Sequence, residues 1–487
     1  MAMENNLDIY RDKVLKIVAK LAWDGTLDEK RADLPYEIVP GPKPVSRCCI
    51  YKEREVIRQR IKLAEGIPAT GIVYGNHNYN IMQVIFAACA DCPISSYTVT
   101  ENCQNCISKP CLDACKFGAI SKGRYHSYID TSLCKECGMC AKACPYNAIA
   151  YLQRPCQHSC PVHAISYEEN GLAVIDENKC IRCGKCMNGC PFGAIDTLAD
   201  IIPVINALKD PNKKVFLMAA PSVEGQHGPE ITMNSWKQAA MDTGFDGFIS
   251  VELGADLVAA AEADEWAEAY SKGIKKTTSC CPAFVNMIRR HYPDLVENIS
   301  SAISPMCACS RLIKASNPDA VTVFLGPCVA KKSEAHEFGI EGNADYVLTF
   351  NELEAIMAAA GAELKPTENK LQQGSVYAKE FAVSGGVTAA AVHSLKEKNV
   401  DFDARVNICN GADECKLALA LLQHGKLTSD FIEGMSCEGG CVNGPAQHKE
   451  PRLAKKDREA LIKAADERGV LETVSEHAST AVSMHRG

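Results

Sequence analysis

Cysteine spacing constrains this chain more than any other feature. Fourteen of its 27 cysteines fall between Cys103 and Cys190, mostly two or three residues apart. Neighbours that close cannot easily pair with one another as disulfides, whose geometry is specific, but they can wrap a metal cluster. Cys134-x2-Cys137-x2-Cys140-x3-Cys144-Pro and Cys180-x2-Cys183-x2-Cys186-x3-Cys190-Pro follow the run in which three thiolates hold one 4Fe–4S cluster and the fourth serves another. Cys103-x2-Cys106-x4-Cys111-x3-Cys115 is a looser version. A zinc ribbon also uses C-x2-C pairs, but four ligands in two pairs do not explain triplets with a trailing Cys-Pro.

An internal repeat accompanies these runs. Cysteine, three variable residues and Ala-Ile recur at Cys115, Cys144, Cys160 and Cys190, and such repeats set architecture. Residues 96–199 resemble a ferredoxin-like (α+β) domain. If the first two runs exchange fourth ligands, Cys103, Cys106, Cys111 and Cys144 share one cluster, and Cys134, Cys137, Cys140 and Cys115 another. Cys180, Cys183 and Cys186 then take Cys160. A nested pairing of the first repeat with the fourth is also compatible with the spacing. Cys156 and Cys190 are left without a full set, because the third repeat lacks two cysteines of its triplet. At least three clusters are expected; a fourth needs cysteines from elsewhere, such as Cys89 and Cys92.

At 487 residues two or three domains are expected. Residues 1–95 form a segment of unknown role, with helical apolar spacing over Val14–Leu21 and Arg54–Leu63 on either side of the Pro-rich stretch Pro35–Pro44. Residues 200–487 alternate short apolar runs with helical stretches. Val215–Ala220, Val321–Leu325, Tyr346–Thr349 and Arg405–Ile408 read as buried strands. Asn351 reads as the N-cap of a helix over Glu352–Ala360, with Gly361 its stop. This alternation predicts an α/β domain with a mainly parallel sheet, whose sites lie beyond the carboxyl ends of strands. Cys328, just after Leu325, fits that rule. A net charge of −8 provides no basic field for nucleic acid or anionic lipid. The sequence has no bilayer-length apolar run, and Met1–Tyr10 lacks the pattern of a signal peptide. A cytoplasmic location is expected.

Three later loops concentrate the remaining chemistry: Thr278-Ser279-Cys280-Cys281-Pro282, Gly326-Pro327-Cys328-Val329-Ala330-Lys331-Lys332-Ser333-Glu334, and Glu433-Gly434-Met435-Ser436-Cys437-Glu438-Gly439-Gly440-Cys441. Read on their own, four of these cysteines suit one more cluster, with a fifth thiol and a lysine beside it. The loops resemble the signatures TSCCPGW, PCxxKxxE and ExMxCxGGCxxG of FeFe (iron-only) hydrogenases. The likeness covers most of residues 200–445, including Ala255-Asp256-Leu257 and Ser384-Gly385-Gly386-Val387. It implies a two-lobed H-cluster catalytic domain with parallel or mixed sheets. It also implies a 4Fe–4S cube joined through a cysteine to a two-iron unit carrying carbon monoxide, cyanide and a bridging amine dithiolate.

Carried over by position, the resemblance makes Cys281, Cys328, Cys437 and Cys441 ligands of the cube, with Cys441 the bridge. Cys280 becomes the proton shuttle, a task that suits a thiol of tunable pKa. Lys331 and the Pro221-Ser222 pair would support the cyanides, and Met435 would pack on the two-iron unit. Behind Cys280 the proton route would run through Glu262, Ser300 and Glu265. The two glutamates lie one helical turn apart. Ala269 stands where the family has an outer arginine, Ala283-Phe284 replaces Gly-Trp, Gly326 replaces a methionine, and Val442-Asn443-Gly444 follows Cys441. These departures point to the divergent group B branch.

The expected activity is reversible reduction of protons to hydrogen. Electrons would come from ferredoxin or a similar carrier, and hydrogenase maturation proteins would load the site. Two other readings are an assembly factor for iron–sulfur clusters, which would lack groups serving a two-iron unit, and a hydrogen sensor. Cys280, Lys331 and Met435 oppose the first, and the short tail after Gln447 opposes the second.

Overall fold

A computed structural model describes residues 6–70, 80–90, 92, 96–368, 371–477 and 482–486. Met1–Asn5, part of the stretch read as lacking a signal peptide, lie outside the described residues. The second half is α/β. Strands Gly247–Ser250, Val215–Ala219, Val321–Leu325 and Tyr346–Leu348 form, in that order, a four-stranded sheet. Lys276–Thr277, Phe431–Met435 and Val406–Asn410 form a second sheet. Every pairing in both sheets is parallel. Parallel strands need crossover connections, here mostly helical.

Within each sheet the carboxyl ends of the strands therefore lie along one edge. Ala219 leads into Pro221 and Ser222, Thr277 into Cys280 and Cys281, Leu325 into Cys328, and Met435 into Cys437. One correction concerns the helix after Tyr346–Leu348. It spans Phe350–Ala360, and its cap is Thr349, which forms a capping box with Glu352. Asn351 instead turns its side chain to Asp12. Gly361 ends the helix at φ +80°, where a left-handed residue is needed.

The iron–sulfur half is built from hairpins and one-turn helices. Ser96–Val99 pairs antiparallel with Ile149–Leu152, and Ile120–Lys122 with Ser127–Ile129. The Ala-Ile repeat has a mechanical explanation. The third residue after each repeat cysteine, Gly118, Asn147, His163 or Gly193, has positive φ. That turn aims the alanine N–H back at the sulfur: Ala148 donates to Cys144 at 3.4 Å, Ala164 to Cys160 at 3.2 Å and Ala194 to Cys190 at 3.3 Å. The isoleucine then enters the core, and Ile120, Ile149, Ile165 and Ile195 are all buried.

The described elements of the first 95 residues pack on both halves. Helix Asn6–Asp24 carries the predicted Val14–Leu21 run and packs on Phe350–Ala360, and Met82–Val84 pairs with Ile195–Thr197. Helix Ile50–Ala64 sends Arg60 into a buried pair with Asp196 at 3.0 Å, which Arg11 joins at 2.9 Å. Among the described residues no helix is long and apolar enough to cross a membrane.

Candidate active site

The three cysteine loops and the Pro221 turn close around one cavity of about 90 Å3, far larger than a single water needs. Cys280, Cys281, Cys328, Cys437 and Cys441 line it together with Pro221, Ser222, Lys331 and Met435. Motifs spread from Pro221 to Cys441 thus meet because each follows the carboxyl end of a parallel strand. Cys281 is additionally fixed as the N-cap of helix Pro282–His291.

Burial raises the pKa of Cys280, Cys328, Cys437 and Cys441. Cys328 is pushed up to about 11 by burial and then by the charge of Cys281. Cys437 and Cys441 are raised by burial and by their mutual charges with Cys281 and Cys328. Four thiolates crowded in a dry pocket repel one another unless cations bind among them, which couples such a site to its metal. Among the described residues no three cysteine sulfurs lie within 4.8 Å of one another. Tetrahedral zinc, with Zn–S of about 2.3 Å, would draw its sulfurs to about 3.8 Å. Four thiols lining one cavity of this size give a donor set and a space that fit a cluster.

Beyond the sulfurs, the cavity wall is apolar except at a few points. The Lys331 ammonium is buried there; burial alone would lower its pKa, but Glu334 outweighs it and the net shift is upward. Lys331 pairs with Glu334 at 2.5 Å and donates to the Cys280 carbonyl at 3.2 Å. The Ser436 hydroxyl, also on the wall, is buried with no hydrogen-bond partner. A cation and an orphaned donor facing an apolar hole suit a guest bearing small anionic acceptors.

Cys280 is itself raised well above an ordinary thiol, by burial and then by the charge of Glu262. Glu262 is fully buried, and burial followed by the Glu265 charge pushes it up to about 8, against a smaller lowering by the Ser300 hydroxyl. Ser300 gives its hydroxyl to Glu265 at 2.7 Å. Glu265 also accepts from the Ser301 backbone at 3.0 Å and pairs with Lys276 at 3.1 Å. Burial would raise Glu265, yet these donors outweigh it and its pKa is lowered. Two carboxyls one turn apart are thus driven to opposite protonation.

Several residues of this site left no mark in the sequence. Met306, Phe324 and Phe381 line the cavity, as apolar residues with no motif of their own. A Cβ on Gly326 would meet the Phe324 ring at 3.0 Å, so this ring occupies the space the missing side chain leaves. Near the chain's end, His485 and Arg486 return to the Ser279–Ser301 region beside Glu265. His485 Nδ1 lies 2.8 Å from the Ser301 hydroxyl, which is 3.3 Å from Glu265, and Arg486 donates to the Ser279 carbonyl at 3.0 Å. Cys307, Cys309, Cys409 and Cys415 are fully buried thiols off this cavity.

The accessory cysteines also fall into sets. Cys103, Cys106, Cys111 and Cys144 line one small pocket, and Cys115, Cys134, Cys137 and Cys140 another. Cys160, Cys180 and Cys183 all act electrostatically on Cys186. Cys183 joins this set to the catalytic one: it lines the main cavity and its charge reaches Cys437.

Residues 213–445 match the family described as "Iron only hydrogenase large subunit, C-terminal domain", residues 127–150 a 4Fe–4S binding domain and residues 150–201 the LdpA Fe-S cluster-binding domain. "Iron hydrogenase 1" of Clostridium pasteurianum is 29% identical over 76% of this chain and 73% of its own length. "NADP-reducing hydrogenase subunit HndD" of Solidesulfovibrio fructosivorans is 28% identical over 53% of this chain and 54% of its own. Shorter matches include a "Probable cytosolic Fe-S cluster assembly factor" of Brugia malayi, 25% identical over 37% of this chain and 50% of its own. Among solved structures, [FeFe]-hydrogenase HydA1 from Chlamydomonas reinhardtii, variant E141A, superposes with a TM-score of 0.49 at 22% identity, over 60% of this chain and 96% of that one. The chain is an iron–sulfur protein with an α/β H-cluster-type domain. More particularly, its residues 213–445 are similar to the C-terminal domain of the iron-only hydrogenase large subunit.

Proposed function

We propose that this chain is a hydrogenase that interconverts protons, electrons and molecular hydrogen. The observation that carries the reading is the meeting of four cavity-lining thiols, Lys331 and Cys280 around one apolar cavity, with the paired carboxyls behind Cys280. Cys281, Cys328, Cys437 and Cys441 would hold the cube, with Cys441 the bridge to a two-iron unit in the cavity. When bound, that H-cluster supplies the redox centre at which electrons and protons combine.

The protein's share is to hold, insulate and supply it. Lys331, Ser222 and Ser436 offer donors to cyanide ligands, and Met435 closes the wall. Cys280 passes protons to and from the cavity, and Glu262, neutral at pH 7, can hand it one. Ser300 and Glu265 continue the relay. At its outer end Ser301 and the exposed His485 take the place of the arginine missing at Ala269, with Lys276 alongside. Electrons enter through the ferredoxin-like clusters, at least three in number, and leave them beside Cys183. A ferredoxin-type carrier is the natural donor, and maturation proteins are needed to deliver the two-iron unit.

Infrared spectroscopy of the anaerobically matured protein tests the reading. Carbon monoxide and cyanide stretching bands together with hydrogen turnover are expected. Cube absorbance without those bands or turnover would replace it with a cluster-assembly role, in keeping with the matches to assembly factors.

A further inference from the structure

Cys156 and Cys190 have no place in the three accessory sets. Their surroundings show why. Strand Ser96–Val99 leads to Cys103-x2-Cys106, and it pairs with Ile149–Leu152 just after the Cys144 turn. Strand Met82–Val84 leads in the same manner to Cys89-x2-Cys92, and it pairs with Ile195–Thr197 just after the Cys190 turn. The inner hairpins correspond as well: Ile120–Lys122 with Ser127–Ile129, and Ile165–Tyr167 with Ala173–Ile175. So do the one-turn helices Pro110–Asp113, which carries Cys111, and Pro155–His158, which carries Cys156.

The second ferredoxin-like unit is therefore complete but interrupted. Its first strand and first C-x2-C pair come from residues 82–92, and the rest from residues 155–197. The whole first unit, 96–152, is inserted between them. The triplet that looks degenerate at Cys156 is intact in space, with Cys89, Cys92 and Cys156 standing where the first unit has Cys103, Cys106 and Cys111.

We propose that Cys89, Cys92, Cys156 and Cys190 hold a fourth accessory 4Fe–4S cluster. Cys89, Cys156 and Cys190 are buried in one core with Cys180 and Cys186, against which Cys160 packs. The Cys190 turn is the same N–H-to-sulfur turn as at Cys144. The Cys89 sulfur accepts from the Ala173 N–H at 3.3 Å, and the Tyr167 hydroxyl lies 3.7 Å from the Cys156 sulfur. Arg154 stacks on the Tyr167 ring at 3.9 Å, setting a cation beside the set. Donors and a positive charge around thiolates are what iron–sulfur ligands need to remain ionised in a core. Burial raises Cys92 and Cys156, with the charges of Cys190 and Cys89 adding to both.

The test uses the full chain with accessory clusters reconstituted anaerobically and no maturation, so that it does not depend on the hydrogenase reading. Iron content and spin-integrated electron paramagnetic resonance of the reduced protein are compared across variants. C89S/C92S is expected to lose about four irons per chain and one cluster's worth of spin, whereas C48S/C49S loses neither. Cys156→Asp, which keeps a ligand but changes sulfur to oxygen, is expected to retain the iron with a shifted signal. The proposal is overturned if C89S/C92S keeps its full iron and spin count, or if the Cys156→Asp signal is unchanged. Should C89S/C92S fail to fold, the Cys156→Asp signal alone decides.

Discussion

The Lys331 ammonium donates to the carbonyl oxygen of Cys280 at 3.2 Å, so the second cysteine loop is latched to the first through one buried charge. Glu334, on the same helical turn, balances that charge and is itself almost fully buried.

Removing only the lysine leaves the carboxylate stranded. Lys331→Met is expected to cost about 3–5 kcal/mol of stability, and Lys331→Met with Glu334→Met to recover most of it. Thermal denaturation of the two variants checks this. Turnover is expected to be lost in both, since neither retains the cavity's cation.

Glu262 makes both stability and rate depend on pH. Its folded pKa of about 8 lies above the ordinary 4.5. The neutral carboxyl therefore favours folding fully below about pH 4.5, and that contribution is lost as pH rises through about 8. Glu262→Gln, which cannot ionise, is expected to gain stability over the parent across that window, on the order of a few kcal/mol. Its turnover is expected to fall at least ~100-fold. Denaturant titrations at pH 5 and pH 8 give the first result; equal stability gaps at the two pH values would refute it.

The tail reaches the proposed proton route through the Ser301 hydroxyl. His485→Ala is expected to slow turnover about tenfold, less than loss of an inner acid–base group, and external imidazole is expected to restore part of it. Rate against imidazole concentration is the measurement. Full activity without His485 would assign the exit to Lys276.

Gly434 lies under an aromatic ring. A Cβ there would fall 2.2 Å from the Phe284 side chain, which is fully buried. Gly434→Ala is expected to destabilise by about 1–3 kcal/mol through overpacking, and Phe284→Leu in the same chain to relieve part of it. Urea midpoints distinguish the two.

Local spacing carried a good deal of this. The ferredoxin-like runs, the strand Val321–Leu325 and the Gly361 stop are written in neighbouring residues, because a thiolate turn, a buried strand and a left-handed cap each depend on a few adjacent side chains. The cavity cysteines were legible as three motifs, and the parallel strands before them explain why such motifs can meet.

What the linear order could not reveal is which distant pieces share a site. The C-x2-C pair at Cys89 belongs beside Cys156 because strand Met82–Val84 pairs with Ile195–Thr197. His485 belongs beside Ser301 because the chain's end lies antiparallel to Ala302. Asn351 lost the cap to Thr349 because its own side chain found Asp12 on a helix from the far end of the chain. Sequence alone determined the ligand types and their local turns, which are short-range steric matters. Only tertiary structure decided their partners, since strand pairing and burial bring together groups that no local rule relates.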